Sequence, residues 1–197
     1  MGTYTTLEAP GEYTLDPVKG SRFIATLAPV ETVDEAAQVL ARVSAAWPDA
    51  SHHCWAWRLR DERARSSDDG EPGGSAGRPI LAQIDGHGVV DVVVVVSRWF
   101  GGTKLGVGGL MRAYGGCAGK ALDRAALRVV VATLPLVVTC DWADSGGVDR
   151  ALARAGLVPL ETDYGARVRR TLAVPEDDVG GVRRALMDAT GGRADID

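Results

Sequence analysis

Val89–Ser97, VVDVVVVVS, followed by Arg98–Tyr114, RWFGGTKLGVGGLMRAY, is the stretch that decides the fold. Nearly every residue of its first part is β-branched, so neither face of a strand there is left polar. That pattern predicts a central strand covered on both sides. A glycine-rich loop, Gly101–Gly109, comes next, and Leu110–Leu127 reads as a helix. A strand, a glycine loop and a helix in that order put free backbone N–H groups at a helix N-terminus, where the helix dipole favours an anion. The candidate anion-binding residues are Arg98, Gly101, Gly102, Lys104, Gly106, Gly108, Gly109 and Arg112. The run is neither a P-loop nor a dinucleotide fingerprint: it has no GK[ST], and Met111 stands where a third glycine would be. The competing reading is a tight strand-to-helix connection that needs positive φ angles.

Upstream, Glu12–Leu15 and Arg22–Ala28 read as strands separated by turn residues Asp16–Gly20. Thr32-Val33-Asp34-Glu35 matches a capping box, and Ala36, Val39, Leu40, Val43 and Trp47 follow at helical spacing until Pro48. The alternation through His53, Trp55, Trp57 and Leu59 predicts another strand. Asp61–Gly77 is polar and reads as a long loop, and Pro79 through Ile84 as a short helix ended by Gly86.

The loop carries Asp68, Asp69 and Glu71 within four positions. Close carboxylates either hold a hard cation, divide acid and base roles between them, or cap the following helix. These three, with His53 as an orienting partner, are the candidate catalytic residues. His53 is alternatively a hydrogen-bonded core histidine. His52-His53-Cys54 offers soft ligands, but only His52 and Cys54 share a side of the strand, short of the three or four that zinc needs. No metal and no cofactor are expected. Lys120, Arg124 and Arg128 fall four apart and would form a basic stripe on one helix face, as would Arg167 and Arg169 on a strand; either group touches phosphates or is simply solvated. Trp55, Trp57 and Trp142 are expected in the core.

Beyond Arg128 the spacing predicts a strand over Val129–Thr139 interrupted by Pro135, a helix over Ala143–Ala155 stopped by Gly156, and a hairpin from Leu157–Thr162 and Ala166–Val174. A helix from Pro175–Glu176 to Ala189 gives the order β-α-β-β-α, with only a stub, Ala194–Asp197, left for a last strand, and suggests a ferredoxin-like unit. The expected division is 1–128 and 129–197. A net charge of −4 argues against a broad basic face, so a polyanion would need a local cluster. Three cysteines without a CxxC pair argue for a reducing compartment. With no signal pattern and no apolar run near the roughly 20 residues of a membrane span, a cytoplasmic location is expected.

Ser21–Ala25, His52–Ala56, the DDGEP run Asp68–Pro72 with Ala76, Gly77 and Pro79, and Arg98–Tyr114 together resemble the IMPACT family, also called the YigZ family. Ser75 stands where that family commonly has Thr, and Val107 where Thr is common. The resemblance spans essentially the whole chain and implies an α+β protein: an N-terminal domain like ribosomal protein S5 domain 2, then a ferredoxin-like domain similar to the C-terminal domain of elongation factor G. Arg22, His52, Ser75, Gly77, Tyr114, Lys120 and Arg124 then count as supporting site residues. Eukaryotic members resemble translation regulators, which implies a translation-associated factor binding RNA, a ribosome or a translation partner through the glycine loop and the basic helix. The alternative is a metal- or acid/base-dependent hydrolase or phosphotransferase using the DDGEP loop.

Overall fold

The computed structural model describes Gly2–Asp197. The chain divides into two compact units, Tyr4–Val130 and Val131–Asp197 with the residues up to Thr3. The elements in chain order are β1 (Thr3–Leu7), β2 (Gly11–Val18), β3 (Ser21–Pro29), α1 (Val33–Ala46), β4 (His52–Arg58), β5 (Ala64–Ser67), α2 (Gly77–Gly86), β6 (Val92–Trp99), α3 (Val107–Arg124), β7 (Leu127–Val131), β8 (Thr133–Cys140), α4 (Trp142–Arg154), β9 (Glu161–Tyr164), β10 (Val168–Pro175), α5 (Val179–Ala189) and β11 (Asp195–Ile196). The fold class is α+β.

In the larger unit a five-stranded antiparallel sheet has the order β2-β3-β6-β4-β5. The valine run is its central strand. Val92, Val94 and Val96 pack with Ile80 and Ile84 of α2 and with Leu110, Tyr114 and Cys117 of α3. Val93 and Val95 pack on the other face with Ala36, Val39 and Val43 of α1. Two helical layers thus explain why no polar residue interrupts the run. All five valines are at most 1% exposed, each worth about 1.5–3 kcal/mol of burial. Thr32 caps α1 as expected, its Oγ1 accepting from the Glu35 N–H at 3.2 Å, while Glu35 Oε2 reaches one residue further back than a capping box requires, to the Glu31 N–H at 2.7 Å.

The smaller unit carries the sheet order β11-β8-β10-β9, antiparallel throughout, with α4 and α5 over one apolar core. That is the ferredoxin-like arrangement.

Several boundaries differ from the sequence reading. The expected loop Asp61–Gly77 contains strand β5, which pairs with β4 from Trp55↔Ser67 to Arg58↔Ala64. It is an edge strand of sequence ARSS, too polar to announce itself. The strand expected over Val129–Thr139 is two strands broken at Ala132. The glycine loop ends at Gly106, so Gly108 and Gly109 belong to the first turn of α3. At the other end α3 stops at Arg124, because Ala125 turns extended (φ −70°, ψ 138°), and Arg128 lies on β7. The three-residue basic stripe therefore does not exist on one helix. Trp142 is 55% exposed and stacks on Tyr164 with ring centroids 5.8 Å apart, instead of entering the core.

Candidate functional site

The site forms at one end of the central sheet. Register places His52 opposite Arg98, His53 opposite Ser97, and Arg22 opposite Trp99. The β2–β3 hairpin closes through Lys19 and Gly20, with φ 47° and 82°, between the paired Val18 and Ser21. Two consecutive positive φ values match the primed turns that fit the twist of a hairpin. That turn packs directly on the glycine loop: a Cβ on Gly20 would lie 2.8 Å from the Gly101 carbonyl oxygen. The Gly101 N–H donates to Ser21 Oγ at 3.2 Å.

Arg98 joins the two loops. Its guanidinium donates to Glu71 Oε1 at 2.6 Å and to Ser21 Oγ at 3.2 Å, and the Tyr114 hydroxyl donates to the same Glu71 oxygen at 2.7 Å. The Arg98 and Glu71 side chains are each 5% exposed. Glu71 brings the acidic loop to this junction and Ser21 brings Gly101, so the loops meet through a buried ion pair. Arg98 itself is closed off from solvent, and its charge is answered by Glu71 instead of facing an outside anion. Arg98 Nε and Ser75 Oγ are buried without a hydrogen-bond partner among the described residues.

Apart from the Ser75 hydroxyl, Asp68 and Asp69 of the acidic loop are engaged by neighbouring groups. Asp68 accepts the N–H groups of Gly74, Ala76 and Gly77 at 2.7–2.9 Å, so it caps α2 from nine residues upstream. Gly77 fits there because a Cβ would lie 2.8 Å from the Ser67 backbone. Asp69, at φ 42°, accepts the His53 N–H through Oδ2 at 2.6 Å, while its carbonyl accepts from His52 Nδ1 at 2.6 Å. His53 Nδ1 lies 2.8 Å from Ser97 Oγ. Burial pushes the Cys54 thiol up to about 12, which leaves it protonated and unreactive at neutral pH. Among the described residues no three His, Cys, Asp or Glu side chains gather as metal ligands.

Burial alone would raise the Asp68 carboxyl, but its three N–H donors together with the Arg78 charge outweigh that and hold it below the ordinary 3.8. Its stabilisation is therefore complete at neutral pH and is lost as the solution is acidified through that lowered value. Asp68→Asn is expected to cost about 2–3 kcal/mol in urea denaturation at pH 7. The difference from the parent should shrink as the pH falls below the ordinary 3.8 and through that lowered value, below which both carry an uncharged side chain. An equal difference at pH 7 and pH 2.5 would contradict this account.

Beside the junction, the β2–β3 turn and the first half of α3 wall a cleft of about 400 Å³. Lys19, Arg112 and Lys120 line it together with Leu15, Leu105, Gly109 and Gly116, and no acidic residue does. Arg112, Gly116 and Lys120 come four apart and so share one face of the helix. The amides of the first turn, Val107 to Gly109, have no acceptor within the helix. Phe100 (51% exposed), Val107 (52%) and Met111 (45%) leave apolar surface around the exposed Lys104. Arg124 does not line the cleft; its guanidinium lies 4.4 Å over the Tyr13 ring. Arg22 sits 3.7 Å over Trp99, on the strand beside Arg98. Sequence reasoning missed Lys19 as a member of this group. The Lys-Gly pair ending the hairpin turn was its only signal.

A match to the Impact N-terminal domain covers residues 19–122, which includes both loops, the junction and the three cations of the cleft. The chain belongs to the IMPACT family. Residues 138–193 match a domain of unknown function, DUF1949, within the ferredoxin-like unit. The IMPACT family member YigZ of Escherichia coli strain K12 is 35% identical over 182 residues, spanning 90% of this chain and 89% of that protein. A Thermus thermophilus IMPACT family member is 40% identical over 177 residues, spanning 89% and 97% respectively. A solved crystal structure described as a hypothetical protein superposes with a TM-score of 0.76 at 34% identity, covering all of this chain and 97% of that one. No helix of the described chain is long and apolar enough to cross a membrane.

Proposed function

We propose that this IMPACT-family chain is a cytoplasmic, translation-associated factor that binds RNA at the cleft beside the glycine-rich loop. The observation that carries the reading is the one-signed lining: Lys19, Arg112 and Lys120 converge without a carboxylate, in a chain whose net charge is −4. Such a local cluster gives an anion a favourable field that the whole molecule does not offer. Lys104 and the amides opening α3 extend it along a phosphate backbone. Phe100, half exposed at the base of the loop, supplies a ring on which an unpaired base stacks. The acid/base alternative has less support. Asp68 and Glu71 are engaged by three amides and by Arg98 and Tyr114, so neither carboxylate is free to move a proton.

Fluorescence anisotropy with a labelled single-stranded RNA, repeated across a salt series, tests the reading. The parent should weaken steeply with salt. Lys19→Glu/Arg112→Glu/Lys120→Glu should lose at least about 100-fold in affinity, and its salt slope should fall by roughly 2, at about 0.7 per lost phosphate contact. Phe100→Ala should lose about 10-fold with the slope unchanged, because stacking releases no counterions. A charge-reversed protein that binds as tightly as the parent at every salt concentration would remove the cleft from consideration.

A further inference from the structure

Three glycines stand in the interior of α3, and one of them has no account within the fold. A Cβ on Gly115 would meet Pro79 Cβ at 3.5 Å, and one on Gly119 would lie 2.5 Å from Gln83 Oε1. Both are buried, and their lack of a side chain lets α2 pack closely on α3. Gly116 differs. It is exposed, and a Cβ there would have nothing within 4 Å. Its φ is not left-handed, so the backbone conformation does not ask for glycine either. Glycine is the poorest residue after proline for a helix interior, because it loses the most chain entropy and leaves the backbone open to water. Gly116 therefore destabilises α3 with nothing inside the molecule to offset it.

Its position supplies a reason from outside. Gly116 lines the cleft between α3 and the β2–β3 turn. Arg112 stands one turn before it and Lys120 one turn after, about 6 Å to either side along the helix axis. Lys19 comes from the hairpin turn, and Leu15, Val18 and Leu105 give the cleft an apolar side. The bare backbone is thus the middle of a surface that is charged at both ends. Any side chain at 116 would project into the space between the two cations.

Resting on the RNA reading of this cleft, we propose that Gly116 is the seat of one nucleoside of a single strand. Phosphates on either side of it go to Arg112 and Lys120. The ribose and base lie against the bare helix backbone and the apolar side of the cleft. Single-strand sites combine such a charged track with apolar support for the bases. The cleft, at about 400 Å³, is of small-ligand size, so it takes a strand and not a duplex. A side chain at 116 would hold the nucleoside off the helix while leaving both cations in place. Glycine here acts as a positioning residue, kept for binding at the expense of helix stability.

Urea unfolding combined with the RNA anisotropy titration, on the whole chain, tests this with Gly116→Ala, Gly116→Gln and a control, Gly180→Ala. Gly180 is an exposed glycine near the start of α5 in the smaller unit, and a Cβ there also meets nothing within 4 Å. All three changes should move the urea midpoint upward, since alanine and glutamine are better helix formers than glycine. Gly180→Ala should bind the single-stranded RNA as the parent does. Gly116→Ala should weaken it about fivefold and Gly116→Gln at least about 30-fold, the range expected when one base loses its support. The salt slope of Gly116→Ala should equal that of the parent, because no cation is removed. A purely structural role would move stability and affinity in the same direction. A parent that binds no RNA would overturn this inference together with the RNA reading. A parent that binds with the expected salt dependence, beside a Gly116→Gln protein that binds as tightly or a Gly180→Ala protein that loses as much, would overturn the seat at Gly116 alone.

Discussion

Glu71→Ala is expected to destabilise the larger unit by about 3–5 kcal/mol, because it leaves the Arg98 guanidinium buried without its counter-charge. The pair is 2.6 Å apart with both side chains 5% exposed, so water cannot take over the missing partner. The change removes the acceptor of the Tyr114 hydroxyl as well. Arg98→Met should cost a similar amount by stranding Glu71. The double variant Glu71→Ala/Arg98→Met should be markedly more stable than the sum of the two single changes, since a buried pair removed whole leaves no lone charge. Tyr114→Phe should cost only about 1–2 kcal/mol: the ring keeps its edge-on contact with Phe23, at 5.2 Å and 87°, and one donor is lost. Tryptophan emission in urea reads this unit well, since Trp47, Trp55, Trp57 and Trp99 lie within it and only Trp142 lies outside. Strict additivity of the two single changes would show that Glu71 and Arg98 are not coupled.

The coupling also explains what could be read from sequence and what could not. The valine run announces a two-sided strand because burial on both faces is a local pattern, visible residue by residue. The ferredoxin-like order after Val131 is legible for the same reason: Gly156, at φ 68°, and Gly191-Gly192, at 56° and 80°, punctuate helices whose apolar faces repeat at helical spacing. The candidate site was legible as a set of residues and not as a set of roles. Arg98 next to a glycine loop looks like a cation waiting for an anion. Its true neighbour is Glu71, 27 residues earlier, and no periodicity links them. Asp68 and Glu71 look like a carboxylate pair three residues apart, yet one collects backbone amides and the other meets a guanidinium. Lys19 sits almost a hundred residues before Arg112 and reaches the same cleft only because the hairpin turn packs on Gly101. Polar strand β5 escaped notice because an exposed edge strand carries no apolar alternation, whereas Trp142 was misplaced because composition reports average burial, from which it departs.

Substituting the glycines of the Gly101–Gly109 run one at a time is expected to give three different outcomes. Gly101→Ala should be the most damaging. A methyl group there would overlap the backbone of Gly20 and Ser21, and neither can give way as a flexible side chain would. The hairpin turn must move off the loop, taking Lys19 from the cleft and Ser21 from its bonds to Arg98 and the Gly101 amide. The expected cost is about 3 kcal/mol or more, with RNA affinity falling in any fraction that stays folded. Gly102→Ala meets open space but must hold φ 85°, so it should cost about 1–2 kcal/mol by backbone strain alone. Gly108→Ala lies in the first turn of α3, where its methyl would only reach the end of the Arg112 side chain at 3.8 Å. A glycine-to-alanine change in a helix with space around it stabilises by about 0.5–1 kcal/mol, so this protein should be slightly more stable than the parent. Equilibrium urea unfolding of the three proteins ranks them directly. If Gly101→Ala proved no worse than Gly102→Ala, the close packing of turn on loop would be wrong. The convergence of Lys19 with Arg112 and Lys120, on which the RNA reading rests, would fail with it.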